Sequence, residues 1–274
     1  MKVVFSRKGV DSAAGNCASP LLGERPFSLP IPTREPSPTV YGQLHQDLSA
    51  LARDLSNGRL SGDRFCHLDP DIDRDALIDR PINWRGALGQ VSSSLSHLRN
   101  QGVGPGDLFL FWGLYRRVEQ REGVWRYAGP RQHRVFGWLH IEAVCDIVGN
   151  GDDVLQNYPW LEDHPHVREG WVSSNAVYVA SDSFEVAGRK FPGSGVFRRA
   201  FRLSENGGRL PSIWIVPNWL DPTAGGVGMS YHPPGRWLGD GRLKSAARGQ
   251  EFVADVFGRE DAERWIAELL ETHR

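Results

Sequence analysis

The chain of 274 residues is predicted to be an α+β protein. The expected architecture is a mixed, mostly antiparallel sheet or partly open barrel with flanking helices. Three observations predict this. Strand-like apolar segments outnumber helical ones. They do not alternate regularly with helices, which argues against a doubly wound parallel sheet. The C-terminal segment carries one apolar face at helical spacing. The length suits one large core, and residues 1–274 are read as a single domain.

Residues 2–6 read as a strand, because Val3, Val4 and Phe5 form a β-branched and aromatic run. Residues 9–40 are rich in Gly, Pro and Ser and are expected to be a surface loop. Leu44, Leu48, Leu51 and Leu55 recur three or four apart and predict a helix over 43–55. Leu88, Val91, Leu95 and Leu98 predict a second helix over 86–100, with Gly102 as its stop signal. Residues 104–117 and 134–148 read as two long strands, expected to pair antiparallel across a long loop. Residues 153–165 suggest a short helix and turn. Further strands are expected at 175–181, 195–203 and 212–220. Ala262, Trp265, Ile266 and Leu269 mark an amphipathic helix over 261–273.

Hydrophobic residues make up 40% and charged residues 24%, the balance of a soluble globular protein. The net charge is −1, so any contact with nucleic acid is expected to be local, or the substrate small. The cations are 28 arginines and four lysines, one of which is Lys8. Only lysine can shed its proton and serve as base or nucleophile. Three scattered cysteines without a CxxC pair suggest neither a zinc knuckle nor a disulfide framework, and fit a reducing cytoplasm. No apolar run reaches the roughly 20 residues of a membrane span, and no leader is apparent at the N-terminus. The sequence also lacks a GxGxxG fingerprint, a Walker loop, a GxSxG elbow and the zinc-deaminase signature.

Three segments carry candidate chemistry. In FCHLDPDIDR (65–74), His67, Asp69 and Asp71 alternate with apolar residues, so an extended chain places all three on one face. Such a trio suits a metal ion or a general base, whereas Asp-Pro-Asp is also ordinary turn chemistry. No metal is assigned on this basis. In the Gly/Pro-rich stretch 229–241, Tyr231, His232 and Trp237 are candidates to stack on or orient a base. Just beyond lie Arg248, Gln250 and Glu251. Glu251 is a candidate acid or base, and Gln250 is able to read a base edge. Finally, Ser6-Arg7-Lys8-Gly9 with Asp11 follows directly on the first strand. Adjacent cations with a glycine suit a phosphate, although a solvated turn would look the same.

Taken together, VVFSRKGxDS, CHLDPD, GDLFLFWG with VFGWLHI, and YH…RGQEFV resemble the nucleotide modification associated domain family, type three, from residue 2 to about 255. The resemblance implies a bacterial or phage protein tied to systems that modify bases in DNA, with possible partner proteins from such a system. It implies no reaction and no cofactor. A weaker fold-level analogy links the GPGDLFLFW and VFGWLHIEAV strands to PUA-like barrels, which bind bases beside the barrel. Two readings follow. In the first, the protein is an enzyme on a nucleotide or on a single-stranded or flipped base. Lys8, Asp11, Asp69 and Glu251 are then catalytic candidates, and Ser6, Arg7, His67, Asp71, Tyr231, His232, Trp237, Arg248 and Gln250 contact substrate. In the second, it is a non-catalytic reader of modified bases with a PUA-like pocket. The SRKG, HLDPD and RGQE segments, with Lys8, Asp69 and Glu251, are expected to meet in space. Such convergence favours the enzyme, whereas an aromatic-lined pocket with its carboxylates scattered elsewhere favours the reader.

Overall fold

The computed structural model describes residues 1–34, 37–168, 174–247 and 251–274. β1 (Lys2–Arg7) lies inside a large sheet, and its Val3, Val4 and Phe5 are all fully buried. The segment 9–40, expected to be loop, carries short pairings. β2 (Ser19–Leu22) runs parallel to the central strand β8 (Leu108–Arg121) and antiparallel to β3 (Arg25–Pro26). β4 (Ile31–Pro32) and β5 (Thr39–Val40) flank β6 (Phe65–His67) in a separate small sheet. Runs of two to four residues are too short for a period of two to show in sequence. Between β5 and β6 lies helix α1 (Gln46–Leu55), with Leu48, Leu51 and Leu55 buried.

Residues 86–100 are not one helix. They divide into β7 (Ala87–Val91) and α2 (Ser92–Asn100). Ser92, at φ +51°, turns the chain between them. Leu88 is buried as a strand residue and Leu95 and Leu98 as helix residues, so an apparently continuous apolar spacing spans two periodicities. Gly102, at φ +64°, follows the helix as expected.

β8 pairs antiparallel with β9 (Val124–Asp146) along its whole length. The expected long loop is instead a continuous hairpin. Its turn is Glu122–Gly123, at φ +53° and +78°, the two positive angles that suit the twist of the strands. After β9 come α3 (Gly151–Asn157) and the single-turn α4 (Pro165–Arg168). β10 (Asn175–Ala180) then pairs with both β9 and β7. The hairpin β11 (Ser183–Val186)–β12 (Arg189–Pro192) leads to β13 (Ser194–Arg202), which pairs with β9. β14 (Ile213–Ile215), β15 (Trp237–Gly239) and β16 (Arg242–Lys244) form another small sheet. β17 (Glu251–Asp255) pairs antiparallel with β1, and α5 (Glu260–His273) ends the chain.

The main path of the large sheet is β17-β1-β8-β9-β10-β7, with β1 and β8 parallel and the other neighbours antiparallel. The fold is therefore α+β with a mixed, mostly antiparallel sheet, and the sheet is not closed into a barrel. One face carries Phe5, Trp112 and Phe252, packs against Trp214 of β14, and is covered by Ala262, Ile266 and Leu270 of α5. The other carries Val4, Phe109, Tyr178 and Val253 and is covered by Leu95 and Leu98 of α2. Among the described residues no helix is long and apolar enough to cross a membrane.

Ile266 is fully buried at the contact of α5 with the sheet. Ile266→Ala should lower the unfolding free energy by about 2–5 kcal/mol. Urea titration checks this, and the midpoint should fall while the slope is preserved.

Candidate functional site

Strand alternation builds the site. Along β1, Val4 faces the α2 side and Phe5 the α5 side, so Ser6 points to the α2 side and Arg7 away from it. The next residue, Lys8, remains tied to β8 through its N–H, which donates to the Trp112 carbonyl at 2.8 Å. In β17, Glu251 stands opposite Ser6 in the register and shares its face with Val253, while Phe252 faces the other way. The curl of the sheet brings in β7 from its far end. Gln90 Nε2 donates to Glu251 Oε1 at 2.6 Å.

Lys8 Nζ lies 3.6 Å from Glu251 Oε1 and 3.7 Å from Asp69 Oδ2, and all three side chains are less than a tenth exposed. Asp69 is held in place by β7, since the Gly89 N–H donates to its Oδ1 at 2.7 Å. The two carboxylates respond in opposite directions. Burial acts to raise the Asp69 pKa, but the Lys8 ammonium, with His164 and His166, holds it well below the usual carboxylate range. Burial raises the Glu251 pKa, and here Lys8 offsets only part of the effect.

These groups adjoin a cavity of about 410 Å³ lined by Arg7, Lys8, Asp11, His67, Asp69 and His166, among others. That size lies within the roughly 300–1,000 Å³ usual for small-molecule sites. A larger cavity, of about 550 Å³, sits against α1 between Arg25, Asp73 and Arg80. It gathers no comparable buried set of ionisable groups. Arg7 stands at the rim of the first cavity, 30% exposed, stacked 5.7 Å from the centre of the Trp112 ring and paired with Asp11. Asp11 also accepts from the Ala13 and Ala14 N–H groups at 2.7 and 2.8 Å, so its carboxylate organises the turn.

Other candidates lie elsewhere. Asp71 does not join His67 and Asp69. It leaves them to form a buried two-pronged pair with Arg80, and its backbone bonds Ala87. The alternation expected of 65–74 is broken because the Asp69 N–H turns back to the His67 carbonyl at 2.9 Å. Tyr231, His232 and Trp237 are placed away from the cavity. His232 packs edge-on against Phe252 at 4.5 Å, hence on the face of β17 opposite to Glu251. Its Nε2 accepts from the Ala246 N–H at 3.0 Å, and the Trp237 indole donates to its carbonyl. Tyr231 packs on His97 at 4.5 Å. Arg248 and Gln250 lie outside the described residues.

Sequence reasoning missed four residues. Gln90 sits at the edge of a segment read as helix. His164 and His166 come from the 153–168 region, almost a hundred positions from Asp69, and Asn175 orients His166. The one local signal is the close spacing of two histidines around Pro165. Burial pushes the His166 imidazole down to about 3, with Asp69 opposing, so the ring is neutral near pH 7.

The family model of nucleotide modification associated domain 3 matches residues 2–255. The chain belongs to this family. The matched span includes Lys8, Asp69, Gln90, His166 and Glu251 and stops at the end of β17, before α5. No curated protein and no solved structure matches the chain.

His232 also has a pH consequence. Burial pushes its imidazole from 6.5 down to about 4, with the Ser230 carbonyl opposing. An unfolded chain takes up this proton first as pH falls. The stability linked to His232 is therefore complete above about pH 6.5 and is lost progressively toward pH 4. His133, pushed down to about 3, acts in the same direction. Melting temperature followed from pH 7.5 to 4 should fall, and His232→Gln should make the fall shallower.

Proposed function

We propose that this member of the nucleotide modification associated domain 3 family is an enzyme acting on a nucleotide or on an unpaired or extruded base, with the Lys8–Asp69–Glu251 cluster as its acid/base machinery. The observation that carries the reading is one ammonium between two buried carboxylates whose proton affinities are pushed apart. Such divergence is how a site keeps one carboxylate ionised and lets the other carry a proton. In this reading Asp69, at the cavity wall, stays ionised and holds the Lys8 ammonium toward the substrate. Glu251, behind Lys8, stores a proton, and Lys8 links the two. Arg7 at the rim is the group best placed for a phosphate, held ready by its stack on Trp112.

A near-neutral net charge suits a small or single-stranded substrate, because a duplex gripped along its backbone asks for a large positive excess. A base within a duplex would first have to leave the stack, at a cost of a few kcal/mol. A reader without turnover would need stacking rings around the ligand. The rings lining the described cavity are the imidazoles of His67 and His166, with no Phe, Tyr or Trp among its described lining residues.

The test is turnover by the purified chain on pooled deoxynucleotides and on single-stranded DNA, with products read as nucleoside mass shifts. Nucleosides from the DNA of cells with and without the gene give the parallel measurement in vivo. Lys8→Met and Glu251→Gln should each lower turnover by about 10²–10⁴-fold. Full turnover in Lys8→Met, or an unchanged nucleoside profile on deleting the gene beside intact neighbours, would overturn the acid/base reading.

A further inference from the structure

We infer that His67, Asp69 and His166 form a binding site for one divalent first-row transition metal ion, open toward the cavity. The ligand atoms of the three residues lie within 4.8 Å of one another. The His67 and His166 Nε2 atoms are 3.1 Å apart, and His166 Nε2 is 3.9 Å from Asp69 Oδ2. Metal–nitrogen and metal–oxygen bonds of about 2.0–2.2 Å set neighbouring ligand atoms about 2.9–3.4 Å apart. The two imidazoles already satisfy that spacing, and the carboxylate closes on them by a side-chain shift, with Oδ2 now 3.9 Å from His166 Nε2.

The surroundings hold His166 and Asp69 in ligating form, while His67 Nε2 donates to His166 Nε2 at 3.1 Å and must release that proton to ligate. His166 Nδ1 is 2.8 Å from Asn175 Oδ1, and the orientation of that amide is set by its own Nδ2, which donates to the His166 carbonyl at 2.7 Å. Nδ1 therefore carries the ring proton, and Nε2 presents its lone pair to the cluster. A partner on the far nitrogen is what ligating histidines generally have. On Asp69, the Gly89 N–H occupies Oδ1 and leaves Oδ2 on the side of the imidazoles. Gly89 serves a second purpose here. A Cβ at that position would lie 2.0 Å from the His166 ring, so only glycine lets the imidazole reach the cluster.

A further buried imidazole points at the same carboxylate. His164 is 3% exposed, and its Nε2 has no hydrogen-bond partner among the described residues. The nearest acceptor is Asp69 Oδ1, at 3.6 Å. Its Nδ1 accepts from the His166 N–H, which fixes the ring beside the cluster. His164 thus lies beside Asp69 without bonding to it.

Two imidazoles with one carboxylate suit zinc, iron or cobalt better than magnesium or calcium, which prefer oxygen alone. Three protein ligands beside a cavity leave at least one coordination position for water or substrate, the pattern of reactive rather than structural sites. The inference shares Asp69 with the acid/base reading and does not depend on it.

The test uses the full chain, without an affinity tag, stripped with chelator and then titrated separately with Zn²⁺ and with Co²⁺. Calorimetry and metal analysis should find one equivalent per chain, and bound Co²⁺ should give visible d–d bands. His67→Ala and His166→Ala should abolish stoichiometric binding, and Asn175→Ala should weaken it by about 10–100-fold. Circular dichroism of each metal-free variant shows whether it is folded. His67, the less buried of the two histidines, provides the decisive variant if His166→Ala does not fold. No binding by the folded wild type, or one equivalent still bound by folded His67→Ala at wild-type affinity, would overturn the site. Neither result bears on Lys8 or Glu251, so this failure is distinct from failure of the acid/base reading.

Discussion

The placement of Lys8 is the constraint on which the rest of the site depends. Two carboxylates, Asp69 and Glu251, are buried within 4 Å of one ammonium. Removing water from a charge costs several kcal/mol, and mutual attraction repays it only when geometry is good. An apolar trio of similar volume would often be at least as stable, so stability gives little reason to keep this one. Everything nearby supports it: Gln90 on Glu251, the Gly89 N–H on Asp69, and the β1–β8 pairing under Lys8.

The curl of the sheet makes this convergence possible. β17 and β7 stand at opposite ends of the main strand path, yet Gln90 and Glu251 are hydrogen-bonded. A flat six-strand path would separate its ends by about five strand spacings of 4.7–4.9 Å, so strong twist and coiling must close most of that distance. The same sheet also keeps chemistry apart. Glu251 and Phe252 are neighbours in sequence and point to opposite faces, so His232 and Trp237 belong with the aromatic core under α5 and not with the cavity. Proximity in sequence made these residues look like one site, and strand geometry divides them.

Arg7 shows how a surface group is ordered without being buried. It rests on Trp112 and is paired with Asp11, which in turn is held by two backbone amides. A guanidinium with two such partners keeps little rotamer freedom. The cavity thus joins an oriented cation at its rim to the buried Lys8–Asp69 pair at its base.

Much of this was legible in the sequence. The fold class follows from the excess of strand-like runs, and the segments bearing Lys8, Asp69 and Glu251 stand out by residue type and order. Local pattern also located β1, β8, β9, β10, α1 and α5. It failed at 86–91, where the leucine and valine spacing of a strand happened to continue that of a helix, and at the β8–β9 turn, where two positive φ angles replaced a loop. Which polar side chains meet was decided only by tertiary structure. His166 reaches Asp69 across almost a hundred residues because Gly89 leaves room for its ring, and Asp71 departs to Arg80 although it is two residues from Asp69. The physical reason is that periodicity reports which face of its own element a residue occupies. Convergence depends on how the sheet coils and where a missing Cβ lets two elements touch, and neither leaves a periodic trace in the chain.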